Sequence, residues 1–201
     1  MIGTSNKLLA AALAVTVLAT PLAAQQLTSD AFAFLEAVKK RDGNKATELL
    51  DQQSTTVLNA RERGNGEGAL HMVARGRDLT WLGFLIRKGA RVDIQNRDGN
   101  TPLGLAAQIG WVEGAQVLLS RGATVDLSNS RGETPLIFAV HRRDMATARI
   151  LLAAGADPRK TDSAAGYSAI DYAKRDPRAG LLVRMLETPR KPARPAAGPA
   201  R

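Results

Sequence analysis

No cysteine occurs in the 201 residues. The chain therefore has no disulfide, no thiolate nucleophile, no thiolate zinc site and no cysteine for a lipid anchor. Histidine is nearly as scarce, with only His71 and His141. So poor a supply of imidazole and thiolate leaves no ligand set for a metal. Neither histidine stands in a recognisable pattern with a serine and an acid, so triad chemistry has no candidate. Paired carboxylates suited to acid–base work are missing too. Gly64-Asn65-Gly66-Glu67-Gly68 lacks the Lys-Ser/Thr that follows a phosphate loop and reads as an ordinary loop. These absences predict a protein that is not an enzyme and carries no cofactor and no metal. Aromatic residues make up only 4% of the chain, which suits thin, closely stacked helices better than one large core.

Acid is absent from both ends. Residues 1–24 hold Lys7 and residues 188–201 hold Arg190, Lys191, Arg194 and Arg201, with no Asp or Glu in either. Setting those five bases aside reduces the 28 bases to 23, against 19 acids. The formal charge of +9 therefore overstates the basicity of the body, and nucleic acid is not the expected partner.

What is present is a period. Gly99-Asn100-Thr101-Pro102-Leu103 returns as Gly132-Glu133-Thr134-Pro135-Leu136, 33 positions on. Leu85-Ile86, Leu118-Leu119 and Leu151-Leu152 keep the same spacing, as do Gly89-Ala90, Gly122-Ala123 and Gly155-Ala156. A period held at independent positions marks a solenoid. Within one unit, Thr101 caps a helix and Pro102 starts it without losing a needed N–H. Leu103 to Ile109 forms a short helix closed by Gly110. Val112, Ala115, Val117, Leu118 and Leu119 carry the pattern of a second helix. Gly122 ends that helix in a left-handed conformation, and Asp126 to Gly132 forms a polar turn. Asp93, Asp126 and Asp157 recur at near-equal places and belong to this loop. One unit cannot bury its own apolar face, so stacking supplies the core.

The pattern G-x-T-P-L-x-x-A-A, then G, then L-L-x-x-G-A-x-V-D, resembles the ankyrin repeat. The resemblance covers residues 60–187 well and 30–58 weakly. It implies an all-α ankyrin-repeat solenoid of stacked helix-turn-helix units with projecting loops, about four repeats plus an N-terminal helical cap. The cap spans 29–58, and the repeats span about 63–95, 96–128, 129–161 and 162–187, within a domain of residues 25–187.

Residues 1–24 read as a signal peptide: Lys7 is followed by the apolar run Leu8 to Ala19, with cleavage placed after Ala24. The 17 residues from Leu8 to Ala24 fall short of the ~20 that span a bilayer, so no stable membrane insertion is expected after processing. If the segment stays uncleaved, it anchors the protein. A composition rich in small residues and arginine points to a bacterial chain and a periplasmic destination. In the cap, Phe32, Phe34, Leu35 and Val38 mark one amphipathic helix, and Ala46, Leu49 and Leu50 a second. The unit at 63–95 has Gly68-Ala69 in place of Thr-Pro and reads as the most heavily packed, with Trp81 in the core. The tail, 188–201, holds four prolines and four bases; it builds no core and is expected to be disordered.

The resemblance also implies where partners bind: loop tips and the concave side of the first helices. The tips are Arg97, Asp98 and Asn100, then Ser130, Arg131 and Glu133, then Tyr167. The concave positions are Arg75, then Gln108 and Ile109, then His141 and Arg142 with Arg143 alongside, then Arg175. Trp111, just after Gly110, is expected to be part exposed, as a binding anchor or packed on a neighbouring turn. His71 holds a position that in this family bonds within and between repeats, so a structural role is expected. The four arginines 75, 142, 143 and 175 suit planar pairing with carboxylates, so the expected partner is another protein with an acidic patch, bound by a monomer. The readings set against this one are an envelope-anchored structural adaptor, a nucleic-acid binder and an enzyme subunit.

Overall fold

The computed structural model describes residues 21–53 and 55–188. Most of the leader segment and nearly all of the proline-rich tail lie outside these residues. Among the described residues there are eleven helices and no strand. The cap contains α1 (Pro21–Lys40), α2 (Gly43–Gln53) and the short α3 (Thr55–Leu58). Four helix pairs follow. They are α4 (Ala69–Arg75) with α5 (Leu79–Arg87), α6 (Pro102–Ile109) with α7 (Val112–Ser120), α8 (Pro135–His141) with α9 (Met145–Ala153), and α10 (Ala169–Arg175) with α11 (Gly180–Glu187). The helix boundaries follow the repeat. The α1 helix begins at Pro21, ahead of the expected cap boundary. Among the described residues no helix is long and apolar enough to cross a membrane.

The helix starts have local causes. The Thr101 and Thr134 hydroxyls accept from the N–H groups of Gly104 and Ile137, at 3.0 and 3.3 Å. Pro102 and Pro135 then occupy the first turn of α6 and α8. Gly68 has no side chain with which to cap α4. His71 Nδ1 takes over by accepting the Gly68 N–H at 3.1 Å. The second helices of three units start at an aspartate: Asp42 accepts from Lys45, Asp78 from Trp81, and Asp144 from Ala146 and Thr147.

The first helices stack in the order α1, α4, α6, α8, α10, and the second helices α5, α7, α9, α11 form a row behind them. Leu70, Leu103, Leu105 and Leu136 are fully buried between first helices, and Leu82, Leu85, Leu118, Leu151 and Leu182 between second helices. Each buried leucine contributes about 1.5–3 kcal/mol. Buried Ala106, Ala107, Ala115, Ala139 and Ala148 keep the helices close. The cap seals the first repeat with Phe34, Leu35 and Val38, but Phe32 is 67% exposed and not part of that seal. Two residues are about 200° of turn in a helix, so Phe32 points to the side of α1 opposite buried Phe34. Trp81 is half-buried rather than central, edge-on to Phe84 with ring centroids 5.3 Å apart, and Leu79 at the start of α5 is exposed.

Polar bonds repeat with the stack. Each loop tip donates a backbone N–H to the previous one: Arg97 to Asn65 at 3.0 Å, Ser130 to Asp98 at 2.9 Å, and Ser163 to Arg131 at 2.9 Å. Inside the loops, the Oδ1 atoms of Asn96, Asn129 and Asp162 each accept two or three backbone N–H groups. Asp93 accepts from Thr124 N at 2.9 Å and Asp126 from Asp157 N at 3.0 Å. Those two aspartates lie in the repeat loops, as their spacing implied, and bond one repeat to the next.

Candidate protein-binding face

Two positions per unit mark the candidate face of the first helices. One lies just before the helix and one at its end: Glu67 with Arg75, Asn100 with Gln108, Glu133 with His141, and Tyr167 with Arg175. The spacing is 33, 33 and then 34, and α4, α6, α8 and α10 are stacked, so the eight positions form two parallel rows. Arg75, Gln108, His141 and Arg175 are exposed, as are the tips Arg97, Asp98, Ser130 and Arg131, while Ile109 is half-buried. The structure thus brings most of the expected residues onto one side of the stack.

Several of them have other work to do. Asn100 is half-buried: its N–H donates to Asn96 Oδ1 at 2.9 Å, and its Oδ1 accepts from Asn129 Nδ2 at 3.2 Å. Glu133 accepts from Asn129 and Arg131 at 2.8 and 2.9 Å. Both are parts of the loop framework. The Arg97 guanidinium donates to the Gly64 carbonyl.

Trp111 is buried, with 4% exposure, which corrects the expectation of a part-exposed anchor. The cause lies three residues on, at Gly114. A Cβ there would sit 2.0 Å from Cε3 of the indole, so the ring fills the space a side chain would need. Gly114→Ala is expected to displace the ring and cost about 1–3 kcal/mol, the usual range for overpacking. In a Trp81→Phe background, the emission of Trp111 should shift to the red. Unchanged emission with unchanged stability would refute this packing.

The arginines divide. Arg41, Arg77 and Arg143 have positive φ of 59°, 51° and 55° at the turn between paired helices, where the second unit has Gly110. That conformation costs a side-chain-bearing residue roughly 1–2 kcal/mol. Each reaches into the next unit: Arg41 Nε to Asp78 at 2.6 Å, Arg77 to the carbonyl of Ile109, and Arg143 Nη1 to Asp176 at 2.9 Å. Arg143 is therefore a strut, not a free cation. Arg75 is also committed, with Nη2 2.6 Å from Oε1 of buried Glu67. Arg142 and Arg175 have no ion-pair partner within 4 Å among the described residues. Arg142 influences Asp144 only through its field.

The last two units carry a cluster of rings that sequence reasoning missed. His141 lies against Tyr172 with centroids 4.4 Å apart, Tyr172 meets Tyr167 edge-on at 5.5 Å, and Arg175 covers the Tyr167 ring at 4.0 Å. The Tyr172 hydroxyl donates to Oδ2 of buried Asp162. That bond raises the Tyr172 phenol to about 12. Burial pushes the Asp162 carboxyl upward, but the hydroxyl and three backbone N–H donors outweigh it and hold it below its ordinary value. The signal was Asp162 standing where Asn96 and Asn129 stand, with a tyrosine ten residues on.

His71 is fully buried. Its Nδ1 accepts from Gly68, so Nε2 carries the proton donated to the Asn100 carbonyl at 2.9 Å. Both ring nitrogens are engaged in structure, as expected. Burial lowers its pKa from the ordinary 6.5. The unfolded chain therefore takes up a proton near 6.5 that the folded chain refuses. Stability is complete above that pH and falls below it, with a slope approaching ~1.4 kcal/mol per pH unit until the folded pKa is reached. Urea denaturation at pH 7.5 and 5.5 measures the loss, and His71→Gln should remove most of the difference. Equal pH sensitivity in that variant would assign the effect to other groups.

Among the described residues no group of three His, Asp or Glu side chains is placed to hold a metal. Known proteins offer a direct comparison. A family model described as Ankyrin repeats (3 copies) matches residues 34–129 and, in a second register, 70–162. A Caenorhabditis elegans protein named poly [ADP-ribose] polymerase tankyrase is 44% identical over 55 residues, 27% of this chain and 2% of that protein. Ankyrin repeat domain-containing protein 37 of Xenopus tropicalis is 34% identical over 76 residues, 38% of this chain and 47% of its own length. The chain spans less than half the length of either relative.

Proposed function

The chain belongs to the ankyrin-repeat family, and from that premise we propose that it is an exported, non-enzymatic module that binds another protein in the bacterial periplasm and scaffolds or inhibits it. Proteins built on this repeat generally mediate protein–protein interaction. The observation that carries the reading is the set of first-helix ends Gln108, His141 and Arg175 with the loop tip Ser130. These side chains are exposed, and none makes a hydrogen bond or ion pair that the stack uses. Exposed side chains outside the polar framework of the stack, carried on a rigid scaffold, are where a repeat protein places specificity. Export rests on Lys7 and the apolar run after it.

The test is capture from the periplasmic fraction with immobilised full-length protein. The wild type should retain a protein that Gln108→Arg/Ser130→Arg releases, while both keep the same urea midpoint. Retention by both would remove this face from the account. Mass spectrometry of the exported protein should show loss of residues 1–24; an intact N-terminus would contradict cleavage.

A further inference from the structure

The four units can be compared with one another at the same two positions. In the first, Glu67 precedes α4 and Arg75 ends it, and the guanidinium grips the carboxylate from its edge, with Nε and Nη2 2.7 and 2.6 Å from the same oxygen. In the last unit the equivalent pair is Tyr167 and Arg175. A tyrosine has no carboxylate to offer, and its ring lies under the guanidinium face, 4.0 Å from the guanidinium carbon. The edge that holds Glu67 in the first unit is open here. Asp171, one turn before Arg175, does not close it, because its Oδ2 is taken by the Ser168 N–H and hydroxyl at 2.9 and 2.6 Å. Stacking on an aromatic face fixes the plane of a guanidinium while leaving its donors free.

A second open guanidinium lies on the neighbouring unit. Arg142 follows α8 and has no ion-pair partner within 4 Å among the described residues, while the adjacent Arg143 is held by Asp176. The ring pair His141 and Tyr172 bridges α8 and α10, and the bond to Asp162 anchors Tyr172 in place. The Arg142 guanidinium reaches back over the Gly110 turn, where Nε, Nη2 and Asp144 Oδ2 lie 3.2, 3.4 and 3.1 Å from the place of a Cβ, so it stands against the second unit while Arg175 stands on the fourth. No single carboxylate reaches both groups, whereas an extended segment, advancing about 3.3–3.6 Å per residue, meets them with acidic side chains several residues apart.

Resting on the protein-binding reading above, we propose that the last two units form a receptor for an acidic segment of the partner, with one carboxylate on Arg175 over Tyr167 and another on Arg142. The first unit is closed to such a segment because Glu67 already occupies Arg75. The second unit has neutral Asn100 and Gln108 at these places and contributes no charge. In the third unit Glu133 is paired with Arg131, so within the two rows the open guanidinium is that of Arg175, at the far end of the stack.

The experiment is a titration of fluorescein-labelled octaglutamate with the purified full chain, read by anisotropy. Arg142→Gln/Arg175→Gln should weaken binding about tenfold or more, the loss expected from removing charge-assisted bonds. Arg87→Gln/Arg121→Gln removes the same charge from exposed second-helix ends and should change affinity less than twofold. Tyr167→Glu should weaken binding like the double variant, since it supplies the carboxylate that Glu67 supplies in the first unit. Equal losses in the two double variants would overturn the proposal in favour of general electrostatic attraction. An eight-residue oligothymidylate is the second probe. If its binding depends on Arg142 and Arg175 as strongly as that of the peptide, the site reads phosphate and the proposal fails. Failure here leaves the module reading standing, because that reading is decided by Gln108 and Ser130 in the capture experiment.

Discussion

Replacing Gly132 with alanine is expected to lower stability by about 2–4 kcal/mol. Two causes add. The backbone there has φ of 77°, which costs an L-residue with a Cβ roughly 1–2 kcal/mol. The new Cβ would also lie 2.5 Å from the backbone nitrogen of Ser163 in the next loop. That neighbour is main chain and cannot swing aside, so the bond from Ser163 N–H to the Arg131 carbonyl must open, costing a further ~1–2 kcal/mol. Gly166 gives the internal control. Its φ is 71°, but nothing lies within 4 Å of the Cβ position among the described residues. Gly166→Ala should therefore cost only the conformational part, about 1–2 kcal/mol. Urea denaturation of both variants measures the difference. Equal losses would mean that loop contact between repeats contributes nothing.

Leu118→Ala is expected to cost about 2–5 kcal/mol, the range for emptying a fully buried leucine site. Leu118 has 0% exposure in the middle of the second-helix row, where α7 meets both α5 and α9. The cavity would therefore open at two repeat interfaces at once. Ser130→Ala, at an exposed loop tip, should change stability by less than about 0.5 kcal/mol. The pair is compared by chemical denaturation with the same slope criterion. Equal effects would show that the stacking register is wrong, since register alone separates the two positions.

Much of this fold was readable because the repeat states it several times. Thr101 and Thr134, Pro102 and Pro135, and the leucines 33 apart each signal a helix start or a buried seam. Three copies of a weak local signal amount to a strong one. What escaped was set by contacts between units. Arg143 looked like a free cation beside its own helix, but Asp176 pairs with it across the stack. The charge of Arg75 is likewise cancelled by Glu67, which precedes its own helix by two residues. Trp111 was misread because a turn position is usually exposed; the glycine at 114 was the sign that the ring folds onto its own helix. Phe32 fits an amphipathic pattern but lies on the exposed side of α1. The ring cluster around Tyr172 was missed since its members come from two units and its anchor, Asp162, from a loop.

The face itself was legible at the level of rows, not of chemistry. Register placed Arg75, Gln108, His141 and Arg175 together. Which of them are free to bind depended on side-chain partners that no period encodes.

Site-specific photo-crosslinking tests the central claim most directly, because it asks which side of the stack meets the partner. A photoreactive side chain is placed at Gln108 or Ser130 on the first-helix side, or at Gln116 or Arg149 on the exposed side of the second helices. Adducts with the captured partner from Gln108 and Ser130, and none from Gln116 and Arg149, are the predicted result. Adducts from Gln116 and Arg149 alone would contradict it and move the binding surface to the opposite side of the solenoid.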